Sequence, residues 1–198
     1  MDGLLPRIYL ARHGETEWTV SGKHTGLTDL PLTERGERNA RGLGLRLQNL
    51  TVDKVYTSPL LRARQTCRLA GFEAQAEIDP DLVEWNYGDY EGRSTPDIHT
   101  ERPDWYSFRD GFPGGETLEQ ISTRADRVVQ RLRDDGGYAL LFSHGHFLRF
   151  LAARWLGLPR ENAAFFLLTT ASLSILGYEH SLDQPVIRLW NDDRHVGA

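Results

Sequence analysis

Lysine is nearly missing from this chain: among 23 basic residues only Lys23 and Lys54 are lysines, and the others are arginines. The 28 acidic residues outnumber them and leave a formal net charge of −5. That balance argues against a general nucleic-acid surface, which needs a basic face to meet a phosphate backbone. An arginine bias spread over the whole chain carries no function by itself, so only arginines at specific positions are read further. Cysteine occurs once, at Cys67. It cannot form an internal disulfide, has no cysteine partners for a metal cluster, and reads as a small buried hydrophobe. No apolar run approaches the roughly 18 residues that a membrane span requires. The opening Met1-Asp2-Gly3-Leu4-Leu5-Pro6 lacks the basic, long apolar start of a secretory signal. The expected location is the cytoplasm, with no membrane partner.

What is present suffices for a folded core. With 198 residues, 39% hydrophobic and 26% charged, the chain is expected to form one domain over 1–198. Ile8 to Ala11 read as a short buried strand, and the polar, Gly-rich stretch to Pro31 as irregular. Thr33 can cap a helix whose Ala40, Leu43 and Leu47 share one face. Val52 to Thr57 read as a second strand, and Ser58-Pro59 as a cap and first turn of a helix to about Ala70. Ile78 is expected in a short strand and Leu82 to Glu84 in another extended piece. Residues 86–116 read as a small inserted lobe with short helices near Thr95–Thr100 and Pro103–Phe108. Thr117-Leu118-Glu119-Gln120 is a capping box that opens the clearest helix. Tyr138 to Phe142 have the continuous apolar run of a central parallel strand. His146 to Leu156 read as a buried helix, and Leu173–Tyr178 and Val186–Trp190 as late strands. Strands alternating with helices predict a three-layer α/β/α sandwich with a mostly parallel central sheet.

Two strand-to-helix junctions carry similar chemistry. Arg12-His13-Gly14 puts a guanidinium and an imidazole at the end of the first strand, where Gly14 lets the backbone turn closely. Ser143-His144-Gly145-His146 follows the central strand in the same way. Open α/β sheets hold ligands outside the carboxyl ends of their strands, so His13 and His144 are expected to face each other there. A third junction, Thr57-Ser58-Pro59, places Arg62 in a helix's first turn, where helix end and guanidinium together favour a dianion such as a phosphoryl group. Glu84, flanked by aromatics, is expected to be kept partly protonated by desolvation and so to give a proton to a leaving alcohol. Glu15, Glu91 and Glu116 compete for that role. Arg64 is expected to face away from Arg62 and make a structural ion pair.

Taken in chain order, Arg12 to Thr16, Leu27 to Gly36, Ser58 to Thr66, Glu84 to Gly92, Pro113 to Thr117 and Ser143 to His146 resemble the motifs of the histidine phosphatases, also called the phosphoglycerate mutase-like superfamily. The Glu84–Gly92 pattern looks most like short bacterial acid phosphatases and fungal sugar-bisphosphate phosphatases. The resemblance implies that His13 becomes a phosphohistidine, that Arg12, Arg62 and His144 bind the phosphoryl oxygens, and that Glu84 is the proton donor. Many relatives carry Asn, lining the phosphate pocket, where this chain has Thr19.

Such chemistry needs a neutral His13, held so by neighbouring cations, and fixed cations around the phosphoryl group, a protonated His144 among them. No metal or cofactor enters it. Thr19, His24, Thr25, Gly26, Tyr87, Gly145 and His146 complete the expected substrate pocket. The expected activity is hydrolysis of small phosphate esters, sugar phosphates or bisphosphates, favoured at mildly acidic pH. The chain's length leaves little room for the segments that shield a phosphoenzyme from water in longer mutases. A mutase-type transfer and a non-catalytic phospho-ligand binder are the alternatives. A homodimer is expected through Leu173–Tyr178 if that strand lies at a sheet edge.

Overall fold

Six strands, β1 (Arg7–Arg12), β2 (Lys54–Thr57), β3 (Ala76–Ile78), β4 (Tyr138–Ser143), β5 (Leu173–Tyr178) and β6 (Pro185–Asp192), form one sheet in the order β3-β2-β4-β1-β5-β6. This is seen in the computed structural model, which describes residues 5–197. Met1 to Leu4, part of the opening without a secretory signature, lie outside the described residues, as does Ala198. Strands β1 to β4 run parallel, whereas β5 is antiparallel to both β1 and β6.

Strand periodicity sorts the core into two layers. Ile8 and Leu10 point to one face and Tyr9 and Ala11 to the other, because side chains alternate along a strand. The first face is covered by α6 (Leu118–Asp135), through Ile121, Ala125, Val128, Val129 and Leu132, and by α7 (Gly145–Trp155). The second is covered by α2 (Glu34–Leu47), through Leu43 and Leu47, and by α3 (Leu61–Leu69), through Cys67. Leu140 and Leu141, each fully buried on opposite faces of β4, explain the unbroken apolar run there. Among the described residues, no helix is long and apolar enough to cross a membrane.

Several local expectations give way to tertiary partners. The stretch to Pro31 is not wholly irregular: α1 (Glu17–Val20) forms behind a capping box between Thr16 and Thr19. Ser58 does not cap α3. The helix begins at Leu61, whose N–H donates to Asp29 Oδ1 at 2.6 Å, 32 residues away in sequence. Leu82 is in a 3-10 turn (Pro80–Leu82), not an extended piece, because Asp79 accepts from Asp81 N and closes the turn. In the 86–116 segment, α4 (Thr95–Glu101) falls where the sequence places it, but α5 (Ser107–Asp110) starts after the span Pro103–Phe108 is half over. Arg64 is exposed and makes no ion pair among the described residues. Finally, β5 is hydrogen-bonded on both sides, so it offers no free edge to a second chain; the edge belongs to β6.

Candidate active site

Because β1 and β4 are neighbours in register, Arg12 lies opposite Ser143 and the two junctions leave the sheet side by side. His13 N donates to Ser143 O at 2.9 Å, and the rings of His13 and His144 stand 5.1 Å apart. Gly14 is required here: a Cβ would sit 2.6 Å from the Gly36 carbonyl oxygen in the first turn of α2. Its N–H donates to Thr66 Oγ1 at 3.0 Å, which in turn donates to Arg62 O at 2.7 Å. The loop that follows β1 is thereby stitched to α3.

The histidine tautomers follow from their partners. His13 Nδ1 donates to Gly14 O at 2.8 Å, since a carbonyl can only accept, and leaves the Nε2 lone pair free. Burial holds the His13 pKa well below 6.5, aided by the Arg62 and Arg12 charges. His144 Nδ1 accepts from Arg62 Nε at 3.1 Å, so its proton is on Nε2, which donates to Ser58 Oγ at 2.8 Å. Burial, then Arg62, push the His144 pKa well below 6.5. The protonated His144 expected from sequence is therefore replaced by a neutral ring carrying one Nε2–H.

Arg62 is fully buried, and its guanidinium donates to Thr25 O, Gly26 O and Thr28 O as well as to His144. Arg12 is also enclosed. One of its Nη1 hydrogens goes to Leu168 O, while its buried Nε has no partner. An unsatisfied buried guanidinium N–H is costly unless something anionic arrives to meet it. Gly145 keeps that guanidinium in place, since a Cβ there would lie 3.2 Å from Arg12 Cζ and Nε. The strand of chain that receives Arg12 is itself tied down from β6 onward. Trp190 Nε1 donates to Leu167 O, Thr169 N to Asn191 Oδ1, and His195 Nε2 to Ala171 O, each at 2.7 Å. Ala171 N then donates to His13 O at 3.0 Å.

Glu84 is buried beside Trp85, as its aromatic setting predicts, but it is not bare of donors. Its carboxylate accepts from Trp85 N (2.9 Å), Phe147 N (2.9 Å) and His146 N (3.1 Å), the latter two in the first turn of α7. Arg124 of α6 braces the same segment by donating to Asp81 O and Val83 O while paired with Glu116 at 2.7 Å. The rival carboxylates are thus committed elsewhere: Glu116 to Arg124, Glu15 to Thr33 and Arg35, and Glu91 to Gly26 N and Thr28 N.

These groups border a cavity of about 230 Å³. Arg12, His13, Thr19, His24, Thr25, Glu84, Tyr87, Gly145 and His146 line it, as the sequence places them. Arg62 and His144, both fully buried, do not line it. Gly26 does not reach it and serves instead as an acceptor for Arg62. Thr19 Oγ1 is spent on Thr16, accepting from its N–H and donating to its carbonyl, both at 2.8 Å, so the hydroxyl caps α1 and is not free for an anion. Tyr87 donates its hydroxyl proton to His146 Nδ1 at 2.5 Å, leaving His146 Nε2–H as a donor. Burial keeps that phenol protonated, its pKa well above 10. A larger hollow of about 560 Å³ lies on the far side of Glu84, near Glu116 and Arg124, but neither junction histidine borders it. Lys23 and Arg149 also line the smaller cavity, and Ser58 meets His144. The sequence reading missed all three. Arg149 is signalled only by its i, i+4 spacing from Gly145 on one helix face.

Comparison with known proteins gives a consistent result. The family model of the histidine phosphatase superfamily (branch 1) matches residues 8–193. An acid phosphatase of Mycobacterium tuberculosis is 41% identical over 182 residues, covering 90% of this chain and 89% of that protein. A sedoheptulose 1,7-bisphosphatase of Saccharomyces cerevisiae is 42% identical over 255 residues, with 96% and 94% covered. Among solved structures, an alpha-ribazole phosphatase from Shigella flexneri superimposes with a TM-score of 0.82 at 30% identity, with 97% of this chain and 98% of that one covered.

Proposed function

The chain belongs to the histidine phosphatase superfamily, branch 1, and on that footing we propose that it is a metal-independent phosphomonoesterase working through a phosphohistidine on His13. Its substrates are small phosphorylated metabolites, sugar phosphates or bisphosphates. The observation that carries the reading is the free Nε2 of a neutral, buried His13 beside the unpartnered Nε–H of Arg12.

The reaction divides into two displacements. His13 Nε2 attacks phosphorus, the bond from phosphorus to the ester oxygen breaks, and Glu84 supplies the proton that makes the leaving group an alcohol. Water then attacks the phosphohistidine, gives a proton to Glu84, and phosphate departs as the phosphorus–nitrogen bond breaks. Arg12 meets the charge on the phosphoryl oxygens. Arg62 acts indirectly: it fixes the loop 25–28 and sets the His144 tautomer, whose Nε2–H is held by Ser58 beside the His13 ring. The domain is one unit over 1–198, and its 86–116 segment faces the substrate through Tyr87.

Rapid quench with a phosphorus-labelled aryl phosphate tests this. Acid-labile label on His13 that disappears as phosphate is released supports it; steady turnover with no label on residue 13 removes it. An isomerised phosphoglycerate without net phosphate release would make the chain a mutase.

A further inference from the structure

Two further cations line the cavity and take no part in the two displacements: Lys23 and Arg149. Neither is neutralised. Arg149 is half-buried, stacked at 4.3 Å over the Phe108 ring, and donates only to backbone carbonyls, Nε to Ala163 O at 3.0 Å and Nη2 to Ala164 O at 2.7 Å. Its Nη1 makes no hydrogen bond among the described residues. Burial pulls its pKa down although the nearby Glu84 carboxylate acts the other way. Lys23 is exposed, leans over Trp18 with Nζ 5.8 Å from the ring, and forms no ion pair among the described residues, although Asp97 feels its charge.

In a chain of net charge −5, two cations without ion-pair partners among the described residues line one cavity with Arg12 against the single carboxylate of Glu84, which is an anion-binding arrangement. They share that cavity with His24, Tyr87 and His146: Phe108, the platform for Arg149, lies 5.2 Å from the His146 ring, and His146 lies 6.4 Å from His24. A single phosphoryl group at His13 is already served by Arg12.

Resting on the phosphatase reading above, we infer that Lys23 and Arg149 form a distal subsite for a second acidic group of the substrate, a phosphoryl or a carboxylate, carried beyond the ester being cleaved. Arg149 is the directional element, because a guanidinium fixed by stacking and by two carbonyls presents its remaining N–H groups without further ordering cost. Lys23 supplies a point charge. His24 and His146, which line the same cavity, would then face the hydroxylated body of the substrate.

The test uses the full chain and four substrates: a ketose bisphosphate, a phosphorylated hydroxy acid, a neutral sugar monophosphate and an aryl phosphate. The wild type is expected to prefer a doubly anionic substrate over the neutral monophosphate in kcat/KM. Arg149→Met and Lys23→Met should each reduce that preference about tenfold or more, mainly through KM, with Arg149→Lys recovering part of it. Whichever doubly anionic substrate loses most identifies the second group as phosphoryl or carboxylate. Since Arg149 packs on Phe108 and Lys23 leans over Trp18, each variant is accompanied by a melting curve, and Lys23, the more exposed of the two, provides the independent arm. An active wild type whose preference is unaltered in both variants overturns the subsite alone. A wild type inert towards all four substrates overturns the phosphatase reading and the subsite together.

Discussion

Arg62 Nε–H points at His144 Nδ1 across 3.1 Å, and this one bond decides which end of the imidazole carries its proton. The guanidinium therefore works as much by arranging its neighbours as by its charge. Arg62→Met should do two kinds of damage. It leaves the carbonyls of Thr25, Gly26 and Thr28 without their buried donor, each at about 1–3 kcal/mol, and it frees His144 to change tautomer. The expected result is a urea midpoint lowered well beyond that of a surface arginine variant, together with a kcat reduced by orders of magnitude. A denaturation curve matching the wild type would contradict this placement.

Glu84→Gln keeps the shape that Trp85, His146 and Phe147 hold but removes the proton carrier. For alkyl phosphates kcat should fall about 10²- to 10⁴-fold. For an aryl phosphate with a well-stabilised phenolate the loss in the first step should be much smaller, because that leaving group departs without a proton. Comparing burst amplitudes and steady rates on the two substrate types checks it.

Gly145→Ala pushes a methyl toward the Arg12 guanidinium at 3.2 Å. The helix tolerates alanine, so the melting temperature should hold, while kcat/KM drops by about tenfold as the anion-binding N–H is displaced. An unaltered kcat/KM would mean that Arg12 has room to spare.

Acid should unfold this protein through its imidazoles. His13, His144 and His146 lie well below 6.5 because burial disfavours their charged forms, and His24 is lowered to about 4 by the same cause. A depressed histidine pKa means that the unfolded chain binds more protons below pH 6.5, so stability is full above that value and is lost as pH falls. For His24 the loss is spread between about 6.5 and about 4. Melting temperatures measured across that range should decline steadily, and His24→Phe should flatten the decline. The same depression keeps the His13 lone pair available on the acid side, so the acid limb of kcat/KM should begin well below 6.5.

What could be read from sequence was whatever depends on neighbours in the chain. The capping box at Thr117, the apolar run of β4 and the stripe of α6 are local, and they appear where their patterns place them. His13 and His144 were legible because both follow apolar strands. Their approach to 5.1 Å, however, depends on β1 lying beside β4, which no local pattern encodes. Ser58 misled because a serine before proline resembles a cap; a carboxylate 32 residues distant from Leu61 took that role and released the hydroxyl to His144. Glu84 was found for its aromatic surroundings, yet two of the three amides that cradle it come from a helix 62 and 63 residues later. Lys23 gave no motif and Arg149 only its spacing from Gly145, since each becomes meaningful only when the loop after α1 and α7 border the same cavity.

The bracing of Leu167 to Ala171 by Trp190, Asn191 and His195 has a bearing on biogenesis. A ribosome extends the chain from its amino end, so every side chain of the two displacements emerges before the strand that steadies them. A nascent polypeptide halted before residue 185 already contains His13 and Glu84, but the segment that receives Arg12 still lacks its braces from Trp190, Asn191 and His195. Competence then arrives late, with the sheet's outermost strand, and a half-made copy has little capacity to hydrolyse cellular phosphate esters.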